Sequence, residues 1–210
     1  MGQYYYTVLR EPATGKTVVG IPFHFDQGLK LLENGIMDTF YMKAVMSMLI
    51  DHPMNVAWVG DYAEPEDLKK FGTSVTKVRA FIDAAYKKEE VPTSRLLEKN
   101  YNGDKVSIFM DEWVMINHTK KEFVDLKKYV EELRKMVDRD KYYYGINPLA
   151  ALTAIGNGKG GGDFWGTHEE DVGRWACDAI ELKQRYEATP EALIADGYTE
   201  FEGLFIEVMD

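Results

Sequence analysis

The residues best suited to chemistry fall in three clusters. The first is the stretch from Gly156 to Gly166, GNGKGGGDFWG, in which six of eleven residues are glycine. Glycine at that density costs too much conformational entropy for a helix or strand interior. It suits either backbone that must approach a ligand or a chain crossing that side chains would obstruct. On the first reading Lys159, Gly160, Gly161 and Gly162 form an anion nest of backbone N–H groups with one cation, and Trp165 supplies an aromatic wall. The stretch is not a Walker loop, because glycine follows Lys159 where a Mg²⁺-binding Ser or Thr is required. Gly156, Gly158 and Gly161 match the glycine spacing of the dinucleotide fingerprint, yet neither its helix nor its downstream acid is evident. Asp163 is placed to fix the loop by accepting its N–H bonds. On the second reading the glycines let Phe164 and Trp165 fold back onto the core.

The second cluster surrounds His118 in Ile116-Asn117-His118-Thr119-Lys120-Lys121. A histidine at a strand end is well displayed for acid–base work, with Asn117 and Lys120 as ligand contacts beside it. It is equally an ordinary hairpin-turn residue. The third cluster runs from His168 through Glu169, Glu170 and Asp171 to Arg174 and Asp178. Carboxylates around an imidazole invite a metal, but the zinc-protease and calcium-loop spacings are absent, so a solvated acidic turn is expected and no metal is assigned. Arg174 and Asp178 would pair if helical, or share one face if extended. His24, His52 and Asp61 read as loop, helix-end and turn residues.

These clusters need a scaffold, and the pattern supplies one of the α+β class: a mixed or antiparallel sheet of hairpins packed with about four to five helices, in one domain spanning residues 1–210. Residues 4–10 and 17–23 are β-rich around a Pro-Ala-Thr-Gly-Lys turn, which predicts an opening hairpin. The consecutive tyrosines Tyr4, Tyr5 and Tyr6 put rings on both faces of its first strand. A short helix ends at Asn34-Gly35, and a second, capped by Asp38 and apolar around most of its circumference, belongs at the centre. Residues 55–60 form an apolar strand, 65–90 a helical region, and 106–110, 113–117 and 122–126 strands, the last two joined through the His118 turn. An amphipathic helix follows over 127–139. Strands near 175–182 and 199–208 close the chain around a short helix at 190–195.

Composition limits the partners. With 25 basic and 35 acidic residues the net charge is -10, which disfavours non-specific nucleic-acid binding and anionic membrane surfaces. Cys177 is the only cysteine, so no internal disulfide forms and a reducing cytoplasm is the expected compartment. The first residues lack a signal-peptide pattern and no apolar run approaches a membrane span. No cofactor is indicated.

The segments MGQYY, GLKLLEN, VAWVGDYA, INHTKKEFVDL, LTAIGNGKGGGDFWG and GRWACDAI resemble the motif blocks of a family of uncharacterised bacterial and phage proteins, with patterns NHTKKEYVDL, GNGRGGGDY and GxWAGDRI. The chain departs at Cys177, where the pattern has Gly, and at Ala179, where it has Arg. The resemblance implies no activity; it implies that His118, the glycine stretch and the Trp175 block form one unit. Three functions fit these residues. One is a binding module that holds a small anionic ligand or a protein partner on the glycine loop and its aromatic neighbours. Another is a hydrolase or transferase on a phosphorylated or nucleotide-like substrate, with His118 as acid or base and Asp163 orienting it. The third is a phage-type inhibitory protein acting through an acidic surface.

Overall fold

The structure is a computed structural model that describes residues 2–37, 39–71, 80, 97, 110–136 and 143–208. Its class is α+β: a mixed sheet of eight strands covered by helices on both faces. The strands are β1 (Tyr5–Arg10), β2 (Thr17–Gly20), β3 (Met54–Gly60), β4 (Trp113–Asn117), β5 (Glu122–Asp125), β6 (Tyr143–Gly145), β7 (Ala154–Ile155), β8 (Ala179–Gln184), β9 (Thr199–Glu200) and β10 (Ile206–Val208). The main order is β2-β1-β3-β8-β4-β5-β9, with β7 added to β3, while β10 and β6 form a separate antiparallel pair. The α-helices among the described residues are α1 (Leu31–Asn34), α2 (Phe40–Ser47), α3 (Leu126–Met136), α4 (Pro148–Thr153) and α5 (Pro190–Ala195).

Alternation along the strands explains the layers. From β1 and β3, Tyr5, Leu9, Val56 and Trp58 point to one face and join Met115, Val124, Ile180 and Leu182 beneath α2, α3 and α4. Tyr6, Val8, Ala57 and Val59 point to the other, beneath Leu68 and Phe71 of a 3₁₀ segment at Pro65–Phe71. Farther along that second face Val114, Ile116 and Phe123 pack on Ala188 and on Leu193 of α5. Each fully buried side chain of this size contributes about 1.5–3 kcal/mol relative to exposure. Inside the first layer, Trp58 Nε1 donates to Asn34 Oδ1 at 2.8 Å, and Asn34 Nδ2 donates to the Tyr5 carbonyl at 3.3 Å.

Local chemistry sets the helix starts. Thr39, Asn147 and Thr189 cap α2, α4 and α5 with their side-chain oxygens, and Pro148 and Pro190 occupy first-turn positions where no N–H is needed. The α2 cap is thus Thr39; Asp38 lies outside the described residues. α2 is central as expected, although Phe40 is exposed.

Several expected boundaries move. Leu126 opens α3 instead of ending β5, because Asp125 Oδ1 accepts from the Lys127 N–H and turns the chain. The late strand begins at Ala179, so Trp175 lies in a turn. The expected 199–208 strand divides into β9, paired with β5, and β10, paired with β6. Of the 65–90 helix only the 3₁₀ segment and Ala80 are described. In the 106–110 strand only Met110 is, and it opens a 3₁₀ turn to Glu112.

The second edge of β3 is divided. Met54 and Asn55 pair antiparallel with β8, while Trp58 and Val59 pair parallel with β7. The chain therefore leaves the sheet at Ile155 and returns at Ala179. On the way back Gly173, Trp175 and Cys177 donate N–H bonds to Ala151, Leu152 and Val56. Cys177 has φ +66, in the left-handed region that favours glycine. Burial pushes its thiol up to about 12, so it stays protonated near neutral pH and is a poor nucleophile. Cys177→Gly should leave stability within about 1 kcal/mol, because released backbone strain offsets lost burial and added chain entropy. Cys177→Val should destabilise by about 1–2 kcal/mol, since a β-branched residue tolerates this φ worse. Urea unfolding of both variants checks the order.

Candidate functional site

Asp163 performs the loop-fixing role expected of it. Its Oδ2 accepts the Gly160 N–H at 2.8 Å and its Oδ1 accepts the Tyr5 hydroxyl at 2.6 Å, with the carboxylate fully enclosed. Burial, followed by the hydrogen bond to Asp163, holds the Tyr5 hydroxyl far above its ordinary range, so Tyr5 remains a donor. Asn157 closes the loop from within, accepting the Phe164 N–H at 2.8 Å and donating to its carbonyl at 3.1 Å. Gly161 bridges to Gly2 and its carbonyl accepts the Gln3 N–H at 2.6 Å, while the Gly162 carbonyl accepts the Leu31 N–H at 3.2 Å. Lys159 stands 3.9 Å from Asp67. Phe164 is buried and Trp165 is 56% exposed, so one ring folds onto the core and the other does not.

His118 lies elsewhere. Its Nδ1 is 3.1 Å from the Tyr198 hydroxyl and its Nε2 is 2.8 Å from Glu181 Oε2. Glu181 is buried and also lies 3.5 Å from Lys183 Nζ, whose pKa is raised, chiefly by that carboxylate. Asn117 holds the turn: its Oδ1 accepts the N–H groups of Thr119 and Lys120 at 2.9 and 3.0 Å, and its Nδ2 donates to Asp178 Oδ2 at 3.0 Å. The expected His118–Asp163 contact is not formed. Asp163 docks on Tyr5, which pairs with Gly60 at one end of β3, whereas Asn117 pairs with Ile180, opposite Met54 at the other. Six residues of strand, about 20 Å, and three strand spacings, about 14 Å, separate these positions, far beyond hydrogen-bond reach.

The third cluster lines an open cleft of about 360 Å³ between the His168–Asp171 turn and the chain from Thr199 to Gly203. Arg174 spans its wall. Its guanidinium is hydrogen-bonded to both oxygens of Glu122, reaches Asp171 at 3.1 Å and lies 5.7 Å from the Phe201 ring centroid. Trp175 Nε1 donates to the same Glu122 carboxylate at 2.6 Å. Arg174 and Asp178 therefore do not pair: each has its own partner, Glu122 with Asp171 for one and Asn117 for the other. His168 sits at φ +58, with Nδ1 3.5 Å from Asp171 and 4.0 Å from Glu170. One ligand atom from each of these three residues lies within 4.8 Å of the others. The carboxylates there also serve the side chains of His168 and Arg174.

The structure thus joins the His118 turn to the Trp175 block through Asn117–Asp178, while the glycine loop docks on the amino terminus. Glu122, Glu181 and Tyr198 were missed by sequence reasoning. Their signal is slight: Glu122 and Glu181 are charges within apolar strand patterns, and Tyr198 follows a helix end. Compared with protein-family models, curated proteins and solved structures, the chain matches none.

Asn117→Ala should destabilise the protein by about 2–4 kcal/mol, since it removes the one acceptor of two turn N–H bonds and leaves the Asp178 carboxylate buried without its donor. Lys120→Ala, which leaves the backbone bond to Asn117 intact, should cost less than about 0.5 kcal/mol. Chemical denaturation of the two variants tests the difference.

Proposed function

We propose that the protein is a binding module whose cleft beside Arg174 receives a positively charged segment of a protein partner. The observation that carries this reading is the composition of the cleft wall. Four carboxylates, Glu122, Asp171, Glu200 and Glu202, face two fixed cations, Arg174 and the neighbouring Lys128, which pairs with Glu200 and Glu202. The excess negative charge favours a cationic occupant over the anionic ligand suggested by the glycine loop. The Phe201 ring adds an apolar surface for the stem of a lysine or arginine. A fluorescein-labelled Lys-rich peptide should raise anisotropy at low salt and release as ionic strength rises, while a Glu-rich peptide should not bind. Glu200→Gln and Glu202→Gln should each weaken binding by up to about fivefold, equivalent to about 1 kcal/mol per exposed pair. Equal binding of both peptides, or of neither, rejects the reading.

One observation favours the catalytic alternative. Tyr198, His118 and Glu181 stand in hydrogen-bonded series, and a buried carboxylate behind an imidazole supports proton transfer at the far hydroxyl. In this version Glu181, not Asp163, orients His118. If the protein hydrolyses p-nitrophenyl phosphate or a nucleoside triphosphate, Tyr198→Phe and His118→Gln should each reduce kcat by about 10²- to 10⁴-fold without loss of folding. Unchanged turnover in both variants, or no turnover by the parent protein, would remove this alternative.

A further inference from the structure

β9 ends the main sheet, and its backbone is bonded on one side only. On its inner side the Thr199 N–H donates to the Lys121 carbonyl at 2.9 Å and the Phe201 N–H to the Phe123 carbonyl at 2.8 Å. In a strand paired parallel to its neighbour, the N–H and C=O of one residue project to the same side and successive residues alternate. The residue between those two donors is Glu200, so its N–H and C=O are directed away from β5. Neither has a hydrogen-bond partner among the described residues. The same stretch borders the acidic cleft, whose lining includes every residue from Thr199 to Gly203. An edge with free backbone groups is a template for one more strand.

Charge selects what that strand carries. A strand laid beside β9 sets one of its side chains directly opposite Glu200, where opposite charge stabilises the pair and like charge destabilises it. Lys128 lies 3.1 Å from Glu200 and also pairs with Glu202, so one cation serves two carboxylates and negative charge is left over. A second copy of this chain is a poor occupant, because it brings a net charge of -10 and sets carboxylate against carboxylate at the edge. We propose that the cationic segment of the partner binds as an extended strand added to the outer edge of β9, its backbone bonded to the Glu200 N–H and C=O and a lysine or arginine facing the Glu200 carboxylate. This rests on the cleft reading above and adds a backbone contact that charge attraction alone does not require.

Three fluorescein-labelled peptides, titrated with the full chain and followed by anisotropy, test it: one alternating Lys and Thr, the same peptide N-methylated at every Lys, and the same N-methylated at every Thr. An added strand bonds to β9 through alternate residues only, so one methylated set faces β9 and the other faces away. The unmodified peptide should bind, one methylated peptide should bind at least about tenfold more weakly, and the other should stay within about threefold of the unmodified one. On the protein side, Glu200→Gln removes the charge alone, while Glu200→Pro also removes the outward N–H, a change that edge strands tolerate. Glu200→Pro should weaken the unmodified peptide at least about threefold beyond Glu200→Gln. Should Glu200→Pro fail to fold by circular dichroism, the methylated peptides decide on the parent protein. Strand addition is overturned, and the charge reading left standing, if both methylated peptides bind as the unmodified one does, if both lose binding alike, or if folded Glu200→Pro binds as Glu200→Gln does. Absence of binding by the unmodified peptide overturns it too, and the Lys-rich peptide then shows whether the charge reading falls with it.

Discussion

The divided edge of β3 is the constraint on which the rest of the structure depends. A buried strand must satisfy its N–H and C=O groups on both sides. β1 runs along one side of β3 from Tyr5 to Arg10, but the other side is shared between β8 at Met54–Asn55 and β7 at Trp58–Val59. Val56, between them, accepts the Cys177 N–H and donates to the Asp178 carbonyl. Because two short partners of opposite direction must meet beside one strand, the chain between them has to loop out and return. That excursion, residues 156–178, holds the glycine loop, the acidic turn and the Arg174 clamp. Its two ends are anchored to the same strand, and so the loop docks at the Gly60 end while Asp178 reaches Asn117 at the Met54 end.

The buried polar groups along this path explain why the excursion has a defined course. Asp163, Asn117 and Asp178 are each nearly inaccessible, and each is satisfied by a partner far away in sequence. Removing one partner would leave the other desolvated, which costs more than the bond itself contributes. Such groups fix one arrangement where apolar packing alone would permit several. Glu122 does the same closer to the surface, gathering Arg174 and Trp175 on one carboxylate. That cluster is partly exposed and borders the open cleft.

Local signals were legible in the sequence; pairings at a distance were not. The Trp113–Asn117 strand, the Pro190–Ala195 helix and the turn between β4 and β5 follow from alternation, capping and turn chemistry, all encoded within a few residues. The bond from Gly160 to Asp163 was legible for the same reason, at a separation of three residues. By contrast, His118 meets Glu181 and Tyr198 across 63 and 80 residues, and Asp163 meets Tyr5 across 158. No periodicity encodes those distances, and strand order decides them. Asp163 and His118 both belong to glycine- or turn-rich segments that look alike locally, but the sheet places them at opposite ends of β3.

Cys177 shows how a resemblance in sequence acquires a physical meaning only through geometry. Glycine occupies this position in the motif that the GRWACDAI block resembles, and the backbone here adopts a φ for which glycine carries no steric cost. The cysteine side chain turns into the apolar layer formed by Tyr6, Val8, Ala57 and Val59, so burial compensates part of the strain. The turn forms with the less suitable residue because its N–H and carbonyl are both committed: Cys177 donates to Val56, and its carbonyl accepts from Asn55 Nδ2 at 3.0 Å. What position 177 must preserve is therefore the hydrogen-bonded return to β3. The thiol is secondary, and the same reasoning separates the glycines of the loop. Gly160 and Gly156 yield space to Gln3, but Gly158 borders open space and is required only for its backbone angle of φ +85.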